Sequence, residues 1–196
     1  MFACQPLLKS LKKEDKMNLS LRFTLITSLI AVLVIGFSNP AAALFGKNKF
    51  ELEVEKEQAA VKLSREVTRG GYALVTTSEL KQWIDNGREM VILDTMPYEA
   101  SYKKSHIPGA KQMLFPIPEM NQWDSDKTGN KTQNDFKSLL GDDPNRTIVI
   151  YCGFVKCTRS HNGAMWARKL GYRNVYRYSG GIFAWKGADF ATASVK

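Results

Sequence analysis

The sequence predicts an α/β fold of three layers, with a central, mainly parallel β-sheet and helices on both faces. Segments with strand character alternate with segments of helix character along most of the chain, which is typical of parallel sheets. The strand segments are continuous apolar runs, such as Met90–Asp94 and Arg146–Tyr151. Such runs indicate strands covered on both faces. Ligands of open parallel sheets bind beyond the carboxyl ends of the strands, so we expect the functional site at that edge.

The first half of this region contains three predicted strands and one clear helix. Thr77 or Ser78 is a suitable N-terminal cap for the helix SELKQWIDNG, and Gly87 is a suitable end. The Pro-Gly dipeptide at 108–109 marks a turn. In chain order we predict a strand at Tyr72–Thr76, the capped helix, a strand at Met90–Asp94, a short helix or turn in YEASYKKS, and a strand within HIPGAKQML.

The second half begins with a loop over residues 116–131 that is rich in Pro, Asn, Asp and Gly. Thr132 then caps a helix, TQNDFKSLLG, which Gly141 ends. The remaining predicted elements are a strand at Arg146–Tyr151, a helix at Ser160–Gly171, a strand at Asn174–Tyr178 and a short closing helix in GGIFAWKGA.

The composition is that of an ordinary globular protein, with 44% hydrophobic and 24% charged residues. The formal net charge is +9, but the basic residues are scattered and form no long run. This charge suits a small anionic substrate or an acidic partner, and we expect no nucleic-acid binding.

The N-terminus has the parts of a secretory signal peptide. Basic residues precede the apolar run Phe23–Phe37, and Ala41 and Ala43 form an A-x-A cleavage site. We therefore predict that residues 1–43 are a signal peptide, with Met17 as an alternative start. The apolar run is short for a membrane span. The alternative is an uncleaved signal anchor, the only membrane contact we expect. Either way, the protein is predicted to be exported, to the periplasm or beyond.

The mature chain is predicted to consist of an arm and one domain. Residues 44–71 are charged, and EVEKEQAAVKLSREVTRGG (53–71) within them is predicted to form one amphipathic helix ended by Gly70 and Gly71. This segment is an arm packed on the domain or a linker. Residues 72–196 form the domain. Loss of the signal peptide would remove Cys4 and leave Cys152 and Cys157 as the only cysteines.

Cys152 stands between an apolar strand and the N-terminus of a helix. Unpaired backbone N–H groups and the positive end of the helix dipole favour a thiolate there, the form that acts as a nucleophile. Lys156 and Arg159 add positive charge, and Gly153 allows a sharp turn. Such a loop binds an anion, or an anionic group carried on the sulfur.

The segment from about Tyr72 to Asp189 resembles a rhodanese domain. HIPGA and the GGIFAW tail, in the right order around a strand-ending cysteine, form a specific signature. The motifs that carry the resemblance are VILDT (91–95), HIPGA (106–110), IVIYC (148–152) and LGYRNVYRYSGGIFAW (170–185).

The resemblance implies that Cys152 is a nucleophile that takes sulfane sulfur from a donor such as thiosulfate or a persulfide. It then passes that sulfur to a thiol acceptor. No metal and no organic cofactor are implied. The loop that would bind the substrate consists of Gly153, Phe154, Val155, Lys156, Thr158 and Arg159.

The sequence departs from the family pattern in two places. The family commonly has a basic residue shortly after the strand-ending aspartate, where this chain has Thr95, Met96 and Pro97. The loop after Cys152 is also longer than usual. The substrate preference of the family therefore does not carry over. A related phosphatase group needs five residues between its cysteine and arginine, whereas six separate Cys152 from Arg159.

Cys157, inside the longer loop, has three alternative roles. As a resolving thiol it would attack a persulfide on Cys152, release sulfide and leave a disulfide. As a static disulfide it would close a very small loop, which stabilises little. Cys152, Cys157 and His161 also match a C-x4-C-x3-H pattern, but no fourth metal ligand is evident, and we expect no metal site.

Two further residues are candidates for a supporting role. Asp94 either accepts hydrogen bonds from backbone N–H groups of the active loop or merely ends its strand. His161, in the first helical turn, either faces the loop and positions a substrate or is solvated. The function alternative to sulfur transfer is a non-catalytic module that binds sulfur species or a protein. A thiol-disulfide redox protein that uses Cys152 and Cys157 is a further alternative.

Overall fold

The computed structural model describes residues 48–195. Within them, a compact unit that contains the sheet begins at Glu53. Short helical turns of π type and 3-10 type lie at Tyr98–Tyr102 and Asp126–Thr128. In chain order the other elements are α1 (Lys49–Gly70), β1 (Ala73–Val75), α2 (Thr77–Asp85), β2 (Val91–Asp94), β3 (Lys111–Gln112), α3 (Gln133–Leu140), β4 (Thr147–Tyr151), α4 (Arg159–Lys169), β5 (Asn174–Tyr178) and α5 (Gly181–Gly187).

The five strands form one sheet in the order β1-β5-β4-β2-β3, and every pairing between them is parallel. Strand β4 lies at the centre, between β2 and β5, and all of its residues are buried. The parallel sheet predicted from the apolar strand segments is confirmed. Its carboxyl edge, after Tyr151, carries the cysteine loop.

The sheet separates two hydrophobic clusters, one on each face. Ile148 and Ile150 of β4 belong to one cluster, and Val149 and Tyr151 belong to the other, as expected for side chains that alternate along a strand. The predicted three layers are confirmed, since helices supply both clusters. Helices α3 and α4 contribute Phe136, Leu140, Ala164 and Met165 to the first, and α2 and α5 contribute Leu80, Ile182 and Trp185 to the second.

The predicted cap of α2 is wrong. Thr76, rather than Thr77 or Ser78, caps the helix, because its hydroxyl accepts a hydrogen bond from the backbone N–H of Glu79 (3.3 Å). The Glu79 carboxylate in turn accepts from the backbone N–H of Thr76 (2.8 Å), which completes a capping box. This use of Thr76 also shortens the preceding strand to Ala73–Val75.

The other element predictions are confirmed with small differences. Thr132 caps α3 by the same reciprocal arrangement, with Asp135 as its partner. The third strand is only two residues long and lies at the edge of the sheet. Helix α4 begins at Arg159, one residue earlier than predicted, and so brings its first turn closer to Cys152.

The predicted signal peptide, residues 1–43 with the alternative start Met17, lies outside the described residues. Within residues 48–195, no helix combines the length and the apolar character that crossing a membrane requires.

Helix α5 closes the carboxyl end of β4. The backbone N–H of Ile182 donates to the carbonyl of Cys152 (2.9 Å), and that of Phe183 donates to the carbonyl of Gly153 (3.0 Å). Gly181 makes this approach possible, because its φ of 60° is in the left-handed region. A Cβ at Gly181 would overlap with the backbone of Cys152 and Gly153.

We therefore expect Gly181→Ala to lower the free energy of unfolding by at least about 2 kcal/mol, from backbone strain and the overlap together. Urea denaturation followed by circular dichroism measures this loss.

Gly187→Ala is the matched control, since a Cβ at this other glycine of α5 meets nothing within 4 Å. We expect it to cause no loss of stability. Equal losses in the two variants would contradict the role given to Gly181.

Candidate active site

Cys152 directly follows β4 and lies at the carboxyl edge of the sheet, as the sequence predicts. Its side chain is 0% exposed. The Cys152 Sγ lies 3.1 Å from the Ser160 hydroxyl oxygen and 3.3 Å from the carbonyl oxygen of Cys157. The sulfur is therefore held beneath the loop that follows it, between the loop backbone and the first turn of α4.

The loop, residues 153–158, exposes its tip and buries its two ends. Phe154, Val155 and Lys156 are exposed, whereas Gly153 and Thr158 are buried. The Phe154 ring stacks on the exposed ring of Phe183 in α5, with 5.5 Å between ring centroids. An apolar rim thus borders the loop.

Cys157 is buried with 9% of its surface exposed, and its carbonyl oxygen accepts a hydrogen bond from the Cys152 thiol (3.3 Å). Both cysteines are free thiols. The hydrogen bond from Cys152 and the backbone N–H groups of Arg159 and Gly153 lower the pKa of Cys157 to about 6, although burial opposes them. Burial and the neighbouring Cys157 raise the pKa of Cys152 well above its usual value.

The first negative charge of the two thiols therefore lies on Cys157. The expectation that the loop lowers the pKa of Cys152 is wrong for this arrangement. The physical reason is burial, because desolvation of Cys152 and the neighbouring Cys157 raise the pKa of Cys152 by more than the Ser160 hydroxyl and backbone N–H lower it. The backbone N–H groups of Arg159 and Gly153 instead favour the Cys157 thiolate.

The two predicted cations lie at the tip of the loop and at the start of α4. Lys156 is exposed, and the Arg159 guanidinium donates to the carbonyl of Phe115. Arg159 is still close enough to favour the Cys157 thiolate. Positive charge also reaches the loop from Lys62 of α1, whose Nζ donates to the Lys156 carbonyl (2.7 Å).

A third cation, Arg177 of β5, lies beneath the loop and is 0% exposed. Its Nε donates to the Ser160 hydroxyl (2.9 Å), and its other nitrogens donate to the Cys157 carbonyl (2.9 Å) and to the Glu66 carboxylate (2.5 Å). Glu66, from α1, is 2% exposed. Tyr72 also accepts from this guanidinium (3.2 Å). The floor of the site is thus a buried ion pair with a hydroxyl on each side.

Glu66, Ser160 and Arg177 are site residues that the sequence pattern does not predict. Arg177 carries a signal, because an arginine inside a buried parallel strand is rare unless it is paired. Glu66 carries none, since α1 contains several other glutamates and only tertiary contact distinguishes this one.

His161 is 0% exposed, so the solvated alternative is wrong. Its Nδ1 lies 2.8 Å from the Tyr72 hydroxyl, and its buried Nε2 has no hydrogen-bond partner and lies 3.9 Å from Glu119. Burial lowers the pKa of His161, which favours the neutral ring. Among residues 48–195, no group of three or more His, Cys, Asp or Glu side chains is placed to hold a metal.

Asp94 does not accept hydrogen bonds from the active loop, so that alternative is wrong. Its Oδ1 accepts from the backbone N–H of Met96 (2.8 Å), two residues on, and its Oδ2 is buried without a partner. Burial raises the pKa of Asp94 to about 6. The residue ends β2 and turns the chain locally.

A family model described as the rhodanese-like domain matches residues 76–188. Among solved structures, the fold is similar to a thiosulfate sulfurtransferase from Pseudomonas aeruginosa, with 18% identity and a TM-score of 0.51. That alignment covers 70% of this chain and 23% of the sulfurtransferase, so this chain corresponds to only a part of that protein.

Two further structures match with lower TM-scores. The BH2092 protein from Bacillus halodurans has 21% identity and a TM-score of 0.45, over 69% of this chain and 86% of its own. A polysulfide-sulfur transferase homodimer from Wolinella succinogenes has 11% identity and a TM-score of 0.47, over 74% of this chain and 90% of its own. No curated protein sequence matches significantly.

The raised pKa of Asp94 predicts a pH-dependent difference between the wild type and Asp94→Asn. The folded state disfavours the charged carboxylate, so the penalty is absent below about pH 4 and grows as the pH rises to about 6. We expect the wild type to lose about 2 kcal/mol of stability relative to the variant between about pH 4 and pH 7. Urea denaturation at both pH values measures it.

Asp135→Asn is the control, for which we expect the opposite pH dependence of the stability difference from the wild type. Hydrogen bonds from Thr132 lower the pKa of this exposed carboxylate, so its contribution is present at neutral pH and lost as the pH falls. A constant difference between wild type and Asp94→Asn across this range would contradict the assignment.

Proposed function

We propose that this chain, which belongs to the rhodanese-like domain family, is a sulfurtransferase that carries sulfane sulfur as a persulfide on Cys152. The observation that carries the proposal is the position of Cys152 at the carboxyl end of the central strand, beneath a loop with N–H donors and nearby cations. The donor class is a small sulfur anion such as thiosulfate, or a persulfide. The acceptor is a thiol, and no metal or organic cofactor takes part.

Loading begins with a proton transfer between the two cysteines. Because the pKa of Cys157 is lowered and that of Cys152 is raised, the charge of the pair lies on Cys157, and the Cys157 thiolate takes the proton of Cys152. The Cys152 thiolate then attacks the outer sulfur of thiosulfate. The S–S bond of the donor breaks, sulfite leaves with the electron pair, and Cys152 carries a persulfide.

Two routes discharge this persulfide. An external thiolate attacks its outer sulfur, which gives an acceptor persulfide and returns Cys152 as a thiolate. Alternatively, Cys157 loses its proton and attacks the inner sulfur. Hydrosulfide then leaves with the electron pair, and a Cys152–Cys157 disulfide remains. Two equivalents of an external thiol reduce that disulfide. The contact of the Cys152 sulfur with the Cys157 carbonyl and the lowered pKa of Cys157 support this resolving role.

A second candidate function is thiol-disulfide exchange without sulfur transfer. The proximity of two free cysteines favours it, with the Cys152 sulfur 3.3 Å from the Cys157 carbonyl oxygen, because neighbouring thiols can cycle to a disulfide. The complete burial of Cys152 favours instead a module that binds a sulfur species or a protein without turnover. Sulfur loading distinguishes both from the sulfurtransferase.

The cellular location is also a proposal. The signal peptide predicted for residues 1–43 supports export to the periplasm or beyond, with the mature chain beginning at Leu44. Intact mass of the protein recovered from the producing cells tests this. A chain that begins at Met1 or Met17 would contradict cleavage, and recovery with the membrane would support the anchored alternative.

We expect reduced protein that is incubated with thiosulfate to gain the mass of one sulfur atom, located by peptide mapping at Cys152. Cys152→Ala should gain none. Cys157→Ala should keep its sulfur longer than the wild type, because hydrosulfide release through the internal disulfide is no longer available. Intact-mass spectrometry at successive times measures both effects.

The outcomes separate the candidates. An adduct on the wild type that disappears in Cys152→Ala supports sulfur transfer. Absence of any adduct, with a wild-type disulfide that forms and reduces readily, would support the redox candidate. An unchanged persulfide lifetime in Cys157→Ala would remove the resolving role but leave the carrier role of Cys152 intact.

A further inference from the structure

Helix α1 precedes the segment that matches the family model, yet it contributes to the floor of the site. That model begins at residue 76, whereas Glu66 of α1 is 2% exposed and contacts the active loop. The Glu66 Oε1 lies 3.4 Å from the Thr158 hydroxyl, which can donate to it. Lys62, one turn earlier, donates to the same hydroxyl (2.9 Å). The helix thus contacts the loop through two charged side chains.

The direction of the hydrogen bonds around Ser160 is fixed by Arg177. The guanidinium has only donors, so its Nε–H donates to the Ser160 oxygen at 2.9 Å. The Ser160 hydroxyl proton is then free to point at the Cys152 sulfur, 3.1 Å away. Ser160 is 0% exposed, so bulk solvent does not reach this hydroxyl. A donor aimed at a sulfur stabilises its thiolate.

Arg177 keeps this arrangement only because Glu66 neutralises it. An unpaired guanidinium at 0% exposure would be strongly unfavourable, and the Glu66 carboxylate is its one acidic hydrogen-bond partner among residues 48–195. The guanidinium also donates to Ser160 and to the Cys157 carbonyl (2.9 Å each), besides the Tyr72 hydroxyl. One cation therefore positions both the hydroxyl and the loop backbone that surround the Cys152 sulfur.

We infer that Glu66, Arg177 and Ser160 form a relay, meaning a chain of hydrogen bonds that stabilises the Cys152 thiolate. Helix α1 is therefore part of the active site. Ser160 is the catalytic residue, since it touches the reacting sulfur and donates to its thiolate. Arg177 and Glu66 are positioning residues that act through Ser160. This inference rests on the proposed role of Cys152 as the nucleophile and extends the site beyond the family domain.

Other charged and titratable groups also surround the two sulfurs, so the test must isolate the relay. Cys157 itself would react first with an alkylating agent, and a Cys157→Ala chain is therefore the parent. The remaining groups are unchanged in all variants: Lys62 on α1, Tyr72 before β1, Asp94 on β2, and Arg159 and His161 on α4.

The experiment measures the rate at which iodoacetamide alkylates Cys152 in the full chain over a range of pH, with peptide mapping to locate the product. In the parent background, Ser160→Ala removes the hydroxyl. Glu66→Leu with Arg177→Met removes the buried pair together, because an apolar pair of similar size leaves no unpaired charge. Glu57→Gln, an exposed glutamate of the same helix, is the matched control.

We expect the rate at a pH below the midpoint to fall about tenfold in Ser160→Ala, with the midpoint shifted upward by about one pH unit. The double variant should show a shift of similar size while its thermal melting stays close to that of the parent. A merely structural role of the pair would leave the midpoint unmoved in a folded double variant. Glu57→Gln should match the parent.

A midpoint in Ser160→Ala equal to that of the parent would overturn the inference, and so would a parent chain whose Cys152 is never alkylated. If the double variant does not fold, the alkylation midpoint of Ser160→Ala alone tests the inference. Loading with thiosulfate is measured in parallel. A parent that is alkylated normally but takes up no sulfur contradicts the proposed function, whereas the shift in midpoint still supports the relay.

Discussion

The parallel pairing of β4 with β5 is the constraint on which the site depends. Its register places Ile150 opposite Arg177 and Tyr151 opposite Tyr178. Arg177 therefore lies beside β4, two residues before Cys152, and is buried beneath the loop rather than at the surface. A shift of one residue would direct Arg177 to the other face of the sheet, away from Ser160 and the loop. The strand pairing thus also places Arg177 in contact with the Ser160 hydroxyl and the Cys157 carbonyl, which surround the Cys152 sulfur.

This buried cation explains why the N-terminal helix packs where it does. A guanidinium within a parallel sheet is costly unless a carboxylate accompanies it, and the strands around β5 supply none in contact with it among the described residues. Glu66 comes from α1, 111 residues away in sequence. The arm expected from composition is consequently tied to the centre of the domain by one ion pair and to its loop by Lys62.

A single nucleophilic cysteine usually has both the lowered pKa and the central position in the site, whereas here these two properties belong to different cysteines. Cys157 is the less buried thiol, and the backbone N–H groups of Arg159 and Gly153 favour the charge there. Cys152 has the central position and contacts the Ser160 hydroxyl. A pair of this kind holds one negative charge that moves between the sulfurs with one proton. This arrangement supports both sulfur transfer and disulfide formation, since each requires that charge on a different sulfur.

The sequence by itself determined the α/β class, the parallel sheet, the place of Cys152 and the cap at Thr132, because each depends on a local pattern of a few neighbouring residues. Apolar strands and the strand-loop-helix order around Cys152 are readable without any knowledge of distant contacts. Only the tertiary structure decided that Glu66 meets Arg177, that Arg177 orients Ser160, and that Cys157 rather than Cys152 holds the charge. The physical reason is that these interactions depend on side-chain direction and on contacts between residues distant in sequence, and neither produces a periodic pattern in the sequence.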